Sequence, residues 1–482
     1  LLPFFSTIYR TCYHIIQWCH YLFLRCVQST VFMYGWSLHQ QQYLGKNLRG
    51  LKKEKLMRRR VVITGLGVVA PNGIGKEAFW EACISGRSGV QRITRFDASR
   101  LPTQIAGEVT NFRPEALGLT GDECKSLDRA AQYGVAAANL AIQDARFVTD
   151  LSEEDLDHTG VAIGTAMACV DGADLLWAAY TDTGMHPPRV SRDGFIIPTM
   201  FMTHATAAAI ANHHQLHGPC FALTTACSAG ADAIGEAFWA IQDGYADRML
   251  AGGSDSAISK LGIGVFSNIG ALSTRNEEPE RASRPYDRDR DGFVMAEGAG
   301  VLVLEEREVA LARGAHLYAE VITFNSNSNS YHMTSLPEDG IPLQQLLRQA
   351  LYDAQISREQ LDYINSHGSS TVPNEVGETA AYKAVFDEYA YRIPISSTKS
   401  MIGHTQGAAS AIEAIVTALT LEHQIVPPTI NQENPDPRCD LDYVPNVARQ
   451  ATVNVALTHS SGFGGVNSAL ILARPDWMDK KL

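Results

Sequence analysis

The chain of 482 residues is 45% hydrophobic and 19% charged, the profile of a globular enzyme with one large or two medium cores, not a disordered or fibrous chain. Its net charge of −12 offers nucleic acid no general attraction, and its nine cysteines show neither zinc-ligand spacing nor a paired disulfide pattern.

The first 53 residues contain no Asp or Glu, while Arg10, Arg25, Lys46 and Arg49 scatter through them. Residues 1–56 are read as an extension outside the enzyme fold, upstream sequence joined to a start at Met57. The competing readings are a targeting peptide, suggested by the missing acids, and a membrane segment, which Arg10, His20 and Arg25 interrupt.

From residue 60 short apolar runs alternate with longer amphipathic ones. Arg60–Gly65 reads as a strand, Gly75–Ile84 and Asp128–Ala145 as helices, and Val161–Gly164 as a strand. Met200–His213 and Ser228–Asp243 read as helices, and Arg248–Gly252 and Gly300–Glu305 as strands. The alternation then restarts. Leu317–Phe324 is a strand, Asn325–Ser330 (NSNSNS) a polar loop, Pro342–Gln355 a helix, Leu361–Asn365 a strand and Val376–Phe386 a helix. Ile393–Ser396 is a strand and Ala408–Leu421 a helix, followed by strands near Val453–Thr458 and Ser468–Leu472. Such alternation implies a largely parallel sheet covered by helices, and its doubling implies two similar halves, 57–314 and 315–476, joined near Gly314.

Three segments look equipped for chemistry. In Phe221–Gly230 (FALTTACSAG) a strand runs through small residues into a helix that begins beside Cys227. Unpaired N–H groups and the positive helix end there stabilise a thiolate, predicting a lowered pKa and a better nucleophile, although a lone cysteine is as readily a small core residue. In Asp362–Thr371 (DYINSHGSST) and Ile395–Gly407 (ISSTKSMIGHTQG), strands deliver His367, and then Lys399 and His404, into Gly-flanked loops. Ligand sites of parallel-sheet folds lie beyond strand carboxyl ends, so the pair is well placed. No H-E-x-x-H or C-x-x-C accompanies them, which argues against zinc. The Gly-rich turn Ser460–Asn467 (SSGFGGVN) can aim backbone N–H groups at an oxyanion. Two other patterns fail. Gly65-x-Gly67-x-x-Ala70 resembles a dinucleotide loop but runs into Pro71-Asn72-Gly73, where a helix should already have begun. Asp287-x-Asp289-x-Asp291-Gly292 opens like a calcium loop but has Gly298 at its twelfth position.

TACSAG, NSHGSST, KSMIGH and GFGGVN occur in the order found in β-ketoacyl-carrier-protein synthases, and the chain resembles that family from about Arg58 to Pro475. Arg284–Gly300 (RPYDRDRDGFVMAEGAG), Tyr331–Gly340 (YHMTSLPEDG) and Val426–Pro445 agree as well. The resemblance implies an α/β fold of the duplicated thiolase type, five layers αβαβα with two mixed sheets, working as a dimer. It implies that Cys227 takes an acyl chain as a thioester from the phosphopantetheine of an acyl carrier protein. His367 and His404 then hydrogen-bond the carbonyl of a malonyl thioester and stabilise the enolate left as CO2 departs. By the same resemblance, Lys399 and Glu378 support the histidines, and the N–H groups of Cys227 and Phe463 form the oxyanion hole, with Phe463 as gate. Ser369 and Thr371 line the pantetheine tunnel, Met167 and Phe266 the acyl pocket. Asn365, Glu378 and Glu413 stand where some members hold a monovalent cation. No resident cofactor, no nucleic acid, no membrane span and a cytoplasmic site are expected, and Lys125, Arg129 and Arg275 are the basic residues considered for carrier docking.

The chain departs from the usual pattern in HGSST for HGTST, in Glu375 for Asp, and in His459 and Ser461 for the Asn and Phe of NSFGFGG. The SGFGG tail and the ETAA stretch Glu378–Ala381 resemble ketosynthase α subunits of type II polyketide systems, which pair with a chain-length factor. Fatty-acid elongation is the first reading and that heterodimeric polyketide role the alternative. A thiolase would need a second catalytic cysteine, and Cys439 in RCDLD does not match one.

Overall fold

The computed structural model describes residues 58–146, 151–168, 170–187 and 202–480. The acid-poor head, and the first two residues of the helix expected from Met200, lie outside them. The main strands are β1 (Val61–Ala70), β2 (Thr159–Gly164), β3 (Cys220–Leu223), β4 (Arg248–Asp255), β5 (Gly298–Glu306), β6 (Ala319–Ser328), β7 (Tyr363–Asn365), β8 (Ile395–Ser396), β9 (Val455–Ser461) and β10 (Val466–Ala473). The helices used below are α1 (Lys76–Ile84), α2 (Arg129–Ala145), α3 (Val170–Thr181), α4 (Ala205–His214), α5 (Ala229–Gln242), α6 (Lys260–Asn268), α7 (Ile341–Asp353), α8 (Val372–Phe386) and α9 (Ala409–His423). Helices α3 and α6 were not legible in the apolar periodicity.

The strands hydrogen-bond in the order β8-β7-β9-β10-β6-β1-β5-β4-β2-β3, and the short return Gly73–Ile74 folds back on β1 as an eleventh. This order contains one pattern twice. In β1-β5-β4-β2-β3 the successive pairings are antiparallel, antiparallel, parallel and parallel. In β6-β10-β9-β7-β8 they are the same. The two expected sheets are therefore joined edge to edge, through the three pairs Val61–Val321, Val62–Glu320 and Ile63–Ala319.

Helices α5 and α9 pack against strands of both halves, with α2 outside the first and α7 outside the second, which gives the five layers. Every residue of α9 from Ala409 to Leu421 is buried, as expected of a helix enclosed on all sides. The two central helices cross closely at Gly230, where a Cβ would lie 2.8 Å from Ala411 Cβ. On β1 a Cβ on Gly65 would meet Ala141 O at 2.2 Å and one on Gly67 would meet Ala137 O at 1.9 Å. The glycines that imitate a dinucleotide motif thus let α2 lie against the strand. Asp287, first residue of the calcium-like motif, is buried and accepts from the N–H groups of Asp289, Glu433 and Asn434.

Two expectations are corrected. The sheet is mixed and not largely parallel, since five of the pairings along its order are antiparallel and four are parallel. NSNSNS is not a loop at its start: Asn325–Ser328 continue β6 and pair with β10. Asn467 Nδ2 donates to Asn327 Oδ1 at 2.9 Å and to Asn329 Oδ1 at 2.6 Å, so side-chain amides do what apolar alternation does elsewhere.

Gly67→Ala is expected to destabilise the protein by about 1–3 kcal/mol through overpacking against α2. Gly264→Ala, on α6 where a Cβ meets nothing within 4 Å, should be neutral or slightly stabilising. Urea unfolding midpoints of the two variants check the contrast.

Candidate active site

Three parallel strands end at one place. β3 leads into a tight helical turn, Ala226–Ser228, that continues as α5. Ala226 is held at φ +53°, a left-handed conformation unusual for a residue with a side chain, and this elbow presents Cys227. The sulfur is enclosed, with Cys227 only 8% exposed. Across from it lies the turn after β9, whose Phe463 N–H pulls the Cys227 thiol pKa down. A Cβ on Gly462 would lie 3.1 Å from the Cys227 nitrogen, so this turn is pressed against the Cys227 N–H.

The thiol itself departs from expectation. Burial pushes its pKa up to about 11, against the downward pull of the Lys399 charge and the Phe463 N–H, while Asp255 and Glu413 add to the rise. The helix end predicted a thiolate, but enclosure outweighs it.

His367 follows β7 and is 3% exposed. Its carbonyl accepts from Lys399 Nζ at 2.7 Å, and its Nδ1 lies 3.2 Å from Ser460 Oγ. The Ser460 hydroxyl also donates to the Cys227 carbonyl at 3.0 Å, linking the histidine to the nucleophile's backbone. His404 follows β8 and the helical turn Lys399–Ile402, through Gly403 at φ +74°. Its backbone bridges the segment after Arg290, donating to Val294 O at 2.7 Å and accepting from Ala296 N at 2.9 Å. His404 Nδ1 accepts from the Gln406 N–H at 3.1 Å, which leaves the proton on Nε2. The two rings stand edge to face with centroids 5.4 Å apart. Burial first, then the Lys399 charge, holds both imidazoles well below the ordinary histidine pKa, so both are neutral.

Lys399 is fully buried and ion-paired with Glu413. Glu378 accepts from the Gly368 N–H with both oxygens, at 3.1 and 3.3 Å, and from the Tyr286 hydroxyl at 2.6 Å. It therefore fixes the loop that carries His367. Burial raises both carboxyls to about 7. His459 Nε2 lies 2.5 Å from the Tyr382 hydroxyl and 3.7 Å from Glu378. That distance would suit an ion pair, but burial depresses the imidazole to about 3, so it stays neutral.

For a monovalent cation, the donor set fits in part. Asn365 Oδ1 and Glu413 Oε2 are buried oxygens with no hydrogen-bond partner, whereas the Glu378 oxygens are already occupied. Among the described residues no three His, Cys, Asp or Glu side chains gather as a metal cage.

Cys227, His367, His404, Ser369, Thr371, Phe266 and Phe463 all open onto one cavity of about 260 Å³. Met167 is not on its wall. It packs in the cluster that contains Phe266, Phe293 and Phe463, behind the lining. Phe266 and Phe463 stack at 6.1 Å, and Phe293 meets His404 at 5.3 Å. The wall also includes Ile269, Phe293, Leu336 and Gln406, which the sequence reading did not single out. Phe293 and Leu336 lie inside quoted motifs, whereas Ile269 follows the helix α6 that periodicity missed. Of the docking candidates, Lys125 is exposed. Arg129 donates to the Val109 carbonyl and lies over the Tyr133 ring, and Arg275 donates to the Asp289 carbonyl and pairs with Glu278.

The comparisons with known proteins agree with one another. The model of the β-ketoacyl synthase N-terminal domain matches residues 58–310 and that of the C-terminal domain residues 318–433. The tetracenomycin polyketide synthase ketoacyl synthase alpha subunit of Streptomyces glaucescens is 43% identical over 423 residues, covering 86% of this chain and 97% of that protein. The 3-oxoacyl-[acyl-carrier-protein] synthase 2 of Synechocystis sp. is also 43% identical, over 86% of this chain and 98% of its own length. A solved complex of a type II PKS acyl-carrier protein with its ketosynthase (AntDE:AntF) includes a chain that superposes with a TM-score of 0.80 at 40% identity, over 87% of this chain and all of the other.

Alkylation of Cys227 by iodoacetamide should accelerate with pH toward an inflection near 11, not near the free-thiol value of about 8.5. An inflection at or below that free-thiol value would mean that the helix end dominates. Lys399→Met strands Glu413 without its cation and should cost about 3–5 kcal/mol in urea unfolding.

Proposed function

The chain belongs to the β-ketoacyl synthase family and is a condensing acyltransferase, and from that premise we propose that Cys227, His367 and His404 carry out its decarboxylative Claisen condensation. The observation that carries this reading is the convergence of these three side chains on one cavity, with the turn before Phe463 packed against the Cys227 nitrogen.

An acyl group arrives on the phosphopantetheine of an acyl carrier protein. The Cys227 sulfur attacks the thioester carbonyl, and the developing oxyanion is met by the N–H groups of Cys227 and Phe463. The tetrahedral adduct collapses to acyl-Cys227, and the carrier thiol departs with the proton the cysteine gives up. Because the thiol pKa is high, proton loss accompanies attack instead of preceding it. Malonyl-carrier protein then binds, its thioester carbonyl toward the histidines. His404 donates from Nε2. His367 does so when the Ser460 hydroxyl turns its proton toward Nδ1. The bond to the carboxylate carbon breaks, CO2 leaves, and the electron pair passes into the enolate these donors hold. The enolate carbon attacks acyl-Cys227, the C–S bond breaks, and the released thiolate takes up a proton. Neutral donors suit this step. A charged imidazolium would stabilise the malonyl carboxylate in the ground state and oppose its loss.

Ser369 and Thr371, whose hydroxyls lie 3.0 Å apart on the wall, are suited to the pantetheine amides. Phe463 gates the acyl pocket with Phe266, while Met167 shapes it from behind. Strand β3 is the last of the sheet and leaves an edge for another subunit, which supports a homodimer. No helix among the described residues is long and apolar enough to cross a membrane, and a cytoplasmic reaction is part of this proposal. Fatty-acid elongation is the first reading of the pathway. Ser461, on the cavity wall where the family usually has Phe, favours the second, a polyketide ketosynthase paired with a chain-length factor.

Intact-mass spectrometry after incubation with a panel of acyl carrier proteins should show Cys227 acylated. Cys227→Ala should show no adduct and no condensation, and His404→Ala should load normally but release CO2 at least about a hundredfold more slowly. Condensation that survives Cys227→Ala would overturn the mechanism. Elongation of saturated acyl chains by a partner-free dimer favours the fatty-acid reading over the polyketide one.

A further inference from the structure

Asp255, last residue of β4, is fully buried, and among the described residues no cation lies within ion-pairing distance of it. Its carboxylate instead gathers donors from two separate segments. Oδ1 accepts from the Thr165 hydroxyl at 2.9 Å and the Met167 N–H at 3.0 Å. Oδ2 accepts from the Ala166 N–H at 2.7 Å and the Gly407 N–H at 2.6 Å.

The first segment is the turn after β2. The same Thr165 hydroxyl accepts from the Ala168 N–H at 2.9 Å, and Ala168 sits at φ +46°, so the turn is closed around its bond to Asp255. That turn carries Met167, which backs the acyl pocket, and its Thr165 N–H donates to Leu223, the end of the strand that leads to Cys227. The second segment is the His404 loop. Gly407 follows Gln406, whose N–H sets the His404 tautomer and whose backbone is itself at φ +53°. The two segments touch: a Cβ on Gly407 would lie 2.4 Å from Ala166 N and 2.7 Å from Asp255 Oδ2.

We propose that Asp255 is a positioning residue that couples the acyl-pocket turn to the His404 loop, so that pocket shape and His404 alignment are set together. It touches no reacting atom and acts through Met167 and His404, in addition to the push its charge gives the Cys227 thiol. Only a carboxylate serves. Each oxygen faces a backbone N–H, so an asparagine in either orientation aims its NH2 at a donor. This assignment rests on the condensing reaction described above, and its test is arranged so that the two can fail separately.

The decisive variants are Asp255→Asn and the milder Thr165→Val, which removes one donor on the acyl side and leaves the His404 loop intact. Both are made in the full chain, with urea unfolding to verify folding. Cys227 loading is compared for short and long acyl carrier proteins, and CO2 release from malonyl-carrier protein is timed separately. Imidazole 15N shifts of His404 are recorded with 15N-histidine labelling. For Thr165→Val the expected result is a several-fold change in the short-to-long loading ratio together with about a tenfold fall in CO2 release and an altered His404 signal. Asp255→Asn should show the same changes more strongly. If Thr165→Val shifts the loading ratio but leaves CO2 release and the His404 signal as in wild type, the coupling is overturned and Asp255 is a local tie for the turn. The His404 signal answers even if wild-type protein neither loads nor decarboxylates, an outcome that would sink the condensing mechanism but not the coupling.

Discussion

The ammonium of Lys399 is buried from bulk solvent, between the carboxylate of Glu413 and the carbonyl of His367. Much of the site's chemistry follows from that single charge. It orients His367 from behind, through the backbone. It keeps His367 and His404 deprotonated, reinforcing what burial begins, and it opposes the rise of the Cys227 thiol. A cation serving three titratable groups at once must be fixed in place, and only a buried counter-charge on a central helix can do that without solvent. Glu413 sits on α9, whose inner residues are all buried, so the electrostatics of the site rest on the packing of that helix.

The fold explains why the pieces meet. Each half repeats one strand order, and the reactive loops leave the carboxyl ends of parallel strands, as expected of open α/β sheets. The first half supplies the elbow at Cys227. The second supplies both histidines, Lys399 and the Gly-rich turn. The close crossing of α5 and α9 at Gly230 brings these contributions within one cavity, and a residue with any side chain there would hold them apart.

What could be read from the sequence was local. TACSAG, NSHGSST, KSMIGH and GFGGVN each place a reactive residue in a loop of small residues after a strand, and small residues in such loops are a signal that survives without a structure. What could not be read was long-range. The thiol pKa depends on enclosure by a turn more than 200 residues away. Met167 packs in the cluster that includes Phe266 without reaching the wall, and α6, which carries Phe266, was invisible to periodicity. The amide ladder of β6 hid a strand inside NSNSNS. Arg129 and Arg275 look like free cations in sequence, yet each donates to a backbone carbonyl in a separate segment, Val109 and Asp289. Asp255 belongs to no recognisable motif, since its meaning lies in Thr165 and Gly407, distant in sequence on either side.

Among the described residues strand β3 is both a rim of the sheet and the approach to Cys227, with three residues separating Leu223 from Cys227. A neighbouring polypeptide that registers against this rim gains leverage on the sulfur. Its pull is transmitted along a short, strained lever through Ala226, whose backbone has little slack to absorb it. With such a neighbour in place, exchanging it would become a means of retuning the reactivity of Cys227 without altering any residue in the cavity.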